Sequence, residues 1–429
     1  MTVLLFVVGI IVMVVGLAVS IALHELGHLW PAKRFGVRVG QYMIGFGPTL
    51  WSRRIGETEY GFKLLPLGGY ISMAGMYPPP PRQARSERVS ATGRAGGGFF
   101  ATMVQDARAA NAETLQGDDD PHVFYRLPVY KRVIVMLGGP TMNLLLAIVL
   151  FTIVFSGIGV QTATTTVSAL SECVPASGSS ACAPTDPAPP AQVAGFEPGD
   201  TIVSIDGTPV STFAEVSDIV RASPGIPLSV VVDRGGAPQT IAVTPAIVET
   251  DAGRIGFLGI SPTAEFQRQP VWAGAAMALQ NTGQVAEIIV KLPVMVWDTA
   301  VSLVTGQERD PNGPLSVVGV AGIAGEVAAA DAPVLNRVSA TLSLVASLNI
   351  ALFVFNLIPL LPLDGGHIVV ALWDGLKRAW SKLTGRAPPK PVDATKLVPV
   401  TFVVVVLLIA MGAVLILADL LNPISILGG

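Results

Sequence analysis

Four apolar stretches of this 429-residue chain are long enough to cross a lipid bilayer, and they limit what it can fold into. A membrane-spanning helix needs about 20 mostly apolar residues. The four stretches are residues 3–23, 133–160, 338–363 and 398–418, and the first two contain no charged residue. Charged residues make up 13% of the chain, about half the share of a soluble globular domain. We therefore predict a polytopic helical membrane protein.

Lys and Arg are concentrated in two of the connecting segments. Residues 31–132 hold 14 of them and residues 366–397 hold 6, whereas the longer segment 160–340 holds only 7. Because cytoplasmic loops of membrane proteins are enriched in Lys and Arg, we expect the first two segments in the cytoplasm. Both termini and the 160–335 loop are then extracytoplasmic. We expect the first helix to be retained in the cell membrane, because a cleavable signal has basic residues before its apolar region and the first basic residue here is Lys33.

The extracytoplasmic loop contains a second folded region after a Ser-, Ala- and Pro-rich linker at residues 177–190. Residues 201–210 predict a strand and a turn at Asp206-Gly207, residues 213–221 have helical spacing, and residues 228–245 predict a hairpin. These short elements, together with AGFEPGDTIVSIDGTPV, resemble a PDZ domain, which binds peptide strands at a sheet edge. The GFLGI segment at residues 256–260 is either its carboxylate-binding loop or a plain final strand.

Three further features lie outside the apolar stretches. Residues 78–120, with four consecutive prolines, predict a flexible cytoplasmic insertion. Residues 273–304 have helical spacing interrupted by Pro293, and we expect helices packed on the outer membrane face. Cys173 and Cys182 lie on the oxidising side of the membrane and are either disulfide-bonded or two free thiols.

An HExxH sequence lies at the cytoplasmic end of the first apolar stretch. His24 and His28 are four residues apart, so both imidazoles share one helix face and can bind one zinc ion. Glu25 beside them can take a proton from the zinc-bound water. The motif also arises by chance, and a histidine in a membrane helix is often a packing residue. Three ionisable residues on one turn of an apolar helix are costly, however, and this favours the metal site.

Asp364 is the best candidate for a third ligand, since a catalytic zinc usually has three protein ligands. It is the only acidic residue between Asp331 and Asp374, and two prolines and a glycine pair break the helix around it. Irregular backbone at membrane depth occurs only where protein buries it or where it lines a wet cavity. By the topology above, the first and third spans end on the same side, so His24, His28 and Asp364 can meet.

These motifs resemble the site-2 protease family of intramembrane zinc metalloproteases, and within it the bacterial branch that cleaves anti-sigma factors. The resemblance rests on HELGH, on GGPTMN at the start of the second span, on the PDZ-like region and on NLIPLLPLDGG before His367, and it covers nearly the whole chain. It implies one catalytic Zn2+ bound by His24, His28 and Asp364, with Glu25 as general base. It also implies that Asn356 contacts the substrate backbone.

The same resemblance implies how substrates are presented. Residues 61–76 are similar to the family's membrane re-entrant β-hairpin, whose edge would hold an unwound substrate at Gly68, Gly69 and Tyr70. The implied partners are single-span membrane proteins such as anti-sigma factors and an upstream site-1-type protease that trims them first, with the PDZ-like domain as a size filter. The net charge of −3 gives no reason to expect a nucleic-acid partner. One PDZ-like domain departs from family members with two, and the insertion matches no family feature.

Five other polar or small residues receive weaker interpretations. His367 could face the metal site, whereas His122 is expected to be a solvated loop residue. Asn143 is expected to hydrogen-bond between helices, and Gly138 and Gly139 to permit close helix packing.

Two rival functions come from other classes of protein. A transporter using Asp364 as an ion site predicts inverted repeats, which the sequence does not contain, and leaves HExxH unexplained. A PDZ-bearing scaffold with structural zinc needs a fourth ligand, for which only His367 is available. His and carboxylate ligands also suit divalent ions other than zinc.

The expected architecture has about four transmembrane helices, a re-entrant β-hairpin and one mainly β, PDZ-like extracytoplasmic domain. The expected segments are the first transmembrane helix with HExxH (1–36), the β-hairpin region (37–77), the flexible insertion (78–127), the second transmembrane helix (128–160), a linker (161–190), the PDZ-like domain (191–265), extracytoplasmic amphipathic helices (266–335), the third transmembrane helix with the LDG motif (336–378), a cytoplasmic loop (379–397) and the fourth transmembrane helix (398–421).

Overall fold

A computed structural model of the chain describes residues 2–78, 99–115, 120–174, 182, 186–250, 253–387, 389 and 391–425. The chain divides into two compact units. Unit 1 comprises Met1–Ser156 and Pro270–Gly429, and unit 2 comprises Gly157–Gln269. Most of the linker expected at residues 177–190 lies outside the described residues.

Ten α-helices occur in the described residues. They are α1 (Thr2–Arg34), α2 (Phe99–Glu113), α3 (Val129–Thr152), α4 (Pro190–Ala194), α5 (Phe213–Arg221), α6 (Ala273–Thr305), α7 (Val317–Ala329), α8 (Val334–Asn356), α9 (Asp364–Leu383) and α10 (Val398–Leu421).

Five of the described helices are long and apolar enough to cross a membrane, as expected of a polytopic membrane protein. They are α1, α3 with its continuation to Ile158, α6, α8, and α10 with the short turn before it. The additional helix is α6. We expected a break at Pro293, but α6 is one continuous helix of 33 residues. The expected break was wrong, because a proline removes one helix hydrogen bond without ending a helix whose flanking turns remain favourable.

The helices α1, α3 and α8 pack around the HExxH segment. Asn349 of α8 donates a hydrogen bond from Nδ2 to Ser20 Oγ of α1 at 2.8 Å. Gly27 of α1 and Gly138 of α3 approach so closely that a Cβ on either would lie within 2.2 Å of the other's carbonyl oxygen. The close packing predicted at Gly138 is confirmed, and it brings the start of α3 beside the end of α1.

A tight turn over residues 357–363 separates α8 from α9, so the third apolar stretch is broken as its prolines and glycines predicted. A Cβ on Gly365 would lie 2.3 Å from Ile358 O, and one on Gly366 would lie 2.5 Å from Leu361 N. Only glycine allows the turn to fold this closely against the first turn of α9. The turn thereby leaves Asp364 as the first residue of a new helix.

Two long strands, β1 (Val39–Ile55) and β2 (Thr58–Met73), form the sheet of unit 1. Met43 of β1 pairs with both Gly61 and Tyr70 of β2, so the first half of β1 has a strand segment on each side. Within the described residues, Gly69 to Met73 pair with β1 alone. The sheet therefore ends in an unpaired edge at this segment.

Part of the expected flexible insertion is a folded helix, and the expectation of flexibility is corrected for it. The side chain of Asn111 in α2 exchanges two hydrogen bonds with the backbone of Tyr77, at 2.8 and 3.1 Å. Arg108 donates to Asp393 at 2.6 Å and to Thr395 at 3.0 Å. Composition predicted disorder, but these side-chain contacts fix α2 on unit 1. Residues 79–98 and 116–119 lie outside the described residues.

Unit 2 is mainly β. Its strands are β3 (Val160–Leu170), β4 (Thr201–Ile205), β5 (Thr208–Pro209), β6 (Leu228–Arg234), β7 (Ala237–Val243), β8 (Ala246–Thr250), β9 (Gly253–Phe257) and β10 (Ile260–Gln267). The main sheet has the order β10-β3-β4-β6-β7, with β5 paired to β4, and β8 pairs with β9. The predicted hairpin is β6–β7, and the predicted helix is α5, whose capping box joins Thr212 and Glu215. Both predictions are confirmed.

The sequence left two questions open in unit 2, the role of the GFLGI segment and the state of the two cysteines. The GFLGI segment contains the end of β9, a two-residue turn and the first residue of β10, so most of it belongs to strands. Cys173 and Cys182 form a disulfide with their Cα atoms 5.8 Å apart. The disulfide alternative is therefore the correct one.

A buried carboxylate fixes the segment that leads into β4. Both oxygens of Asp200 accept hydrogen bonds from Arg234 at 2.7 Å, and Asp200 Oδ2 also accepts one from the backbone of Glu197. The Asp200 side chain is fully buried, whereas a quarter of Arg234 is exposed. The bidentate contact with Arg234 holds the pKa of Asp200 below its usual range.

Substitution Arg234→Met is expected to destabilise unit 2 by about 2 kcal/mol at neutral pH, because it leaves Asp200 buried without its cation. A lowered carboxyl pKa contributes stability above about pH 4 that is lost as the pH falls further. In the wild type, hydrogen-exchange protection of β4 and β6 should therefore fall below about pH 4. In Arg234→Met, which starts less stable, this further loss should be much smaller, because the pKa of Asp200 is no longer held below its unfolded value. Exposed Arg221→Met is the matched control, and equal protection in the two variants would contradict this account.

Candidate metal centre

Three side chains from two distant parts of the chain meet at one point. His24 Nε2 lies 3.2 Å from His28 Nε2, and each of these atoms lies 3.3 Å from Asp364 Oδ2. Among the described residues, these three form a group able to hold a metal ion. The sequence predicted that the first and third apolar stretches meet. In the structure Asp364 lies directly against both imidazoles.

The spacing of the three atoms fits a tetrahedral ion. Ligand atoms about 2.0 Å from zinc at tetrahedral angles are separated by about 3.3 Å, which is the spacing observed here. Asp364 Oδ2 is buried and has no hydrogen-bond partner in the described part of the chain. A buried carboxylate oxygen without a partner is expensive unless a cation joins it. Two imidazoles and one carboxylate are, moreover, a donor set of catalytic zinc sites.

The orientation of His28 is fixed from α3. His28 Nδ1 lies 2.7 Å from the carbonyl oxygen of Val135, and only a protonated Nδ1 can donate to a carbonyl. The Nε2 lone pair of His28 therefore faces the other two ligand atoms. Such a contact to the second nitrogen is typical of metal-ligating histidines.

Gly139 of α3 lies directly against the two imidazoles. A Cβ at this position would lie 2.2 Å from His28 Nε2 and 2.8 Å from His24 Cε1. The glycine predicted to permit helix packing thus gives room to the two candidate ligands themselves. The only sequence signal was the Gly138-Gly139 pair in the second apolar stretch, which indicates close helix packing but not the residues packed against.

Glu25 is buried beside this group, at 8% exposure. The backbone of β2 reaches it at Gly69, where a Cβ would lie 3.0 Å from Glu25 Cγ. Gly68 packs against the ring of Phe46, and the hydroxyl of Tyr70 donates to Gln41 at 3.2 Å. The predicted substrate-binding segment is therefore adjacent to the predicted general base through Gly69.

Asn356 is the last residue of α8, eight positions before Asp364. Its Nδ2 donates to Leu352 O of the preceding turn at 2.9 Å, and the side chain is partly exposed. Asn356 therefore lies immediately before the turn that leads to Asp364.

The weaker candidates are placed differently. His367 stacks on Tyr77 with ring centroids 6.2 Å apart and is absent from the three-residue ligand group. His122 is 63% exposed, as expected. Asn143 is 1% exposed, and neither side-chain polar atom has a hydrogen-bond partner in the described residues. The expected interhelical hydrogen bond of Asn143 was wrong, since burial alone does not bring a partner within reach.

Comparisons with known proteins agree with this geometry. The model of peptidase family M50 matches residues 12–387, a range that includes His24, His28 and Asp364. The chain is 33% identical to zinc metalloprotease Rip1 of Mycobacterium tuberculosis over 446 residues, covering 98% of this chain and 99% of the relative. It is 32% identical to Rip1 of Mycolicibacterium smegmatis over 98% of this chain and 99% of that one. Metalloprotease MmpA of Caulobacter vibrioides is 26% identical, with 86% and 88% covered.

Proposed function

The chain belongs to peptidase family M50, and on this premise we propose that it cleaves single-span membrane proteins within their transmembrane segments. Family membership makes it a zinc metalloprotease. The observation that carries the finer proposal is the ligand group of His24, His28 and Asp364 at the end of an apolar helix that is long enough to span the membrane. We assign these residues as the zinc ligands.

The reaction needs a base, an oriented ligand set and an accessible carbonyl. Bound zinc supplies Lewis acidity toward a carbonyl oxygen and a water molecule. Glu25, next in sequence to His24, accepts a proton from the attacking water and returns it to the leaving nitrogen. Val135 holds His28 in the tautomer that leaves Nε2 unprotonated. Asp364 brings a negative charge to the group, which lowers the cost of binding a divalent cation in an apolar surrounding.

A transmembrane substrate hides its carbonyls in helical hydrogen bonds, so the segment to be cut must unwind. The freed backbone groups need new partners, and the unpaired edge from Gly69 to Met73 supplies them by strand addition. This edge begins beside Glu25, which favours the assignment of the edge as the binding site for the scissile segment. Asn356 at the end of α8 is assigned as a second contact to the unwound backbone.

We assign four membrane spans, α1, α3, α8 and α10, and exclude α6. Gly274 at the start of α6 packs on Thr152 at the end of α3. Arg309, just beyond the end of α6, forms a salt bridge with Asp419 near the end of α10.

The starts of α3 and α10 lie together, because Asp374 contacts both Arg132 and the backbone of Val392. The two ends of α6 therefore contact the ends of α3 and α10, at the face of the bundle opposite the starts of these helices. A helix with both ends at one face does not cross the membrane. With four spans, the Lys and Arg distribution supports an active site near the cytoplasm and an extracytoplasmic unit 2.

Unit 2 is assigned as a PDZ-like domain that excludes substrates with a large outer domain. A site-1-type protease would act first, and cleavage would then release a cytoplasmic fragment. A single-span anti-sigma factor is the substrate class that this order of events and the sequence resemblance favour.

Metal removal tests the assignment. The purified protein in detergent should cut a single-span reporter trimmed on its outer side, and mass spectrometry of the fragments should place the cut within the span. Chelation of zinc should abolish cleavage, and added Zn2+ should restore it. Asp364→Asn should lose bound zinc, whereas Asp331→Asn, at an exposed carboxylate, should retain it. Cleavage that survives complete zinc removal would contradict the proposal.

A further inference from the structure

A buried ion pair joins α3 and α9 on the cytoplasmic side of the ligand group. Arg132 Nη1 lies 3.1 Å from Asp374 Oδ2, and the two side chains are 6% and 2% exposed. Asp374 Oδ1 also accepts a hydrogen bond from Val392 N at 2.8 Å and lies 3.3 Å from Lys377 Nζ. The carboxylate of Asp374 is thus fully engaged, and Arg132 is its cation from α3.

On α3, the ion pair shares a helix face with the contacts to the metal ligands. Arg132, Val135 and Gly139 are separated by three and four residues, which places them on one side of the helix. Val135 holds His28 through its carbonyl, and Gly139 lies against both imidazoles. One side of α3 therefore contacts His24 and His28, and through Arg132 it also contacts Asp374 on the helix that begins with Asp364.

On α9, the ion pair and the third ligand lie at two points of one rigid element. Asp364 is the first residue of α9, and Asp374 follows ten residues later, about 15 Å along the axis. A helix transmits an axial displacement along its length. A displacement at Asp374 would therefore move the carboxylate of Asp364 relative to His24 and His28.

A buried ion pair contributes little net stability, since desolvation of the two charges offsets their attraction. It is nevertheless selective, because an unpaired buried charge is costly and only one register of α9 on α3 brings the charges together. An apolar contact at the same place would tolerate sliding. We propose that Arg132 and Asp374 are a positioning pair that holds the third zinc ligand in place. This inference rests on the proposed function through the assignment of Asp364 as a ligand.

The test replaces the whole pair with apolar residues of similar size. Because neither Arg132 nor Asp374 is left as an unpaired buried charge, the double variant Arg132→Met/Asp374→Leu should keep its thermal unfolding midpoint in the zinc-free form. Its zinc dissociation constant, measured by chelator competition, should rise about 10- to 100-fold. The visible spectrum of the cobalt-substituted protein should change as well. The single variant Arg132→Lys retains the charge and should keep most of the wild-type zinc affinity. It tests the pair even if the double variant misfolds.

The matched control is Arg309→Met/Asp419→Leu. This second buried pair is 3% and 1% exposed and contacts neither α3 nor α9 in the described structure. Its removal should leave zinc affinity and the cobalt spectrum at their wild-type values. Wild-type affinity in the Arg132/Asp374 double variant would overturn the inference, as would an equal loss in the control. If Asp364→Asn itself bound zinc like the wild type, the ligand assignment would be wrong and the proposed site would fall with it.

Discussion

Glu25→Gln is expected to lower cleavage of a single-span substrate by about two to four orders of magnitude while leaving zinc bound. Glutamine matches the size of the buried glutamate, so the packing around His24 and Gly69 should persist. It cannot accept a proton from water at neutral pH, and the step assigned to Glu25 is lost. The variant therefore separates the chemistry from the metal site.

The measurement compares purified wild type and Glu25→Gln on the same outer-trimmed anti-sigma reporter, with zinc content determined for each preparation. Glu287→Gln is the control, because Glu287 is an exposed carboxylate that pairs with Lys291 away from the ligand group. It should cut at the wild-type rate. A Glu25→Gln protein that holds one zinc and cuts normally would refute the assigned role of Glu25.

Gly139→Ala is expected to abolish zinc binding under conditions in which the wild type is saturated. The added methyl group would lie 2.2 Å from the Nε2 atom of His28 that faces the other ligands, and 2.8 Å from His24 Cε1. Neither imidazole can retreat freely, since Val135 holds His28 and both belong to the same helix turn. We expect a loss of zinc affinity of at least about 100-fold, with cleavage lost in parallel.

The control is Gly412→Ala in α10, where an added Cβ would meet nothing within 4 Å. An alanine there is at least as favourable to the helix as glycine, so zinc binding and cleavage should be unchanged. Zinc content by metal analysis and the unfolding midpoint are measured for both variants. Wild-type zinc binding by a folded Gly139→Ala protein would show that α3 does not confine the imidazoles as described.

The candidate metal site could be proposed from the sequence because its chemistry depends on residue types that are rare in apolar helices. Helical spacing brings His24 and His28 to one face, and Asp364 is the one carboxylate near the broken third stretch. The contacts that orient these ligands were not predictable. Val135 acts through its backbone carbonyl, which every residue possesses, and the Arg132–Asp374 pair joins positions whose proximity depends on how α9 folds back on α3.

The fold shows the same division. Local patterns such as the helical spacing of α5 and the β6–β7 hairpin depend on neighbouring residues and were predicted correctly. The break expected at Pro293 was wrong, because one lost hydrogen bond does not end this 33-residue helix. The disorder expected around α2 was wrong, because long-range contacts fix that helix. Arg108 and Asn111 carry no local sign of the partners that fix α2 to unit 1.

His24 and Asp364 are 340 positions apart in the chain, and this separation has a consequence for biosynthesis. Translation at about 5–20 residues per second leaves an interval on the order of tens of seconds between synthesis of the two ligands. During that interval the nascent chain already carries Glu25 and both histidines in the membrane but lacks the carboxylate that completes the zinc site. Under the proposed function, this chain therefore cannot cut neighbouring membrane proteins until α9 has been made and has docked against α3.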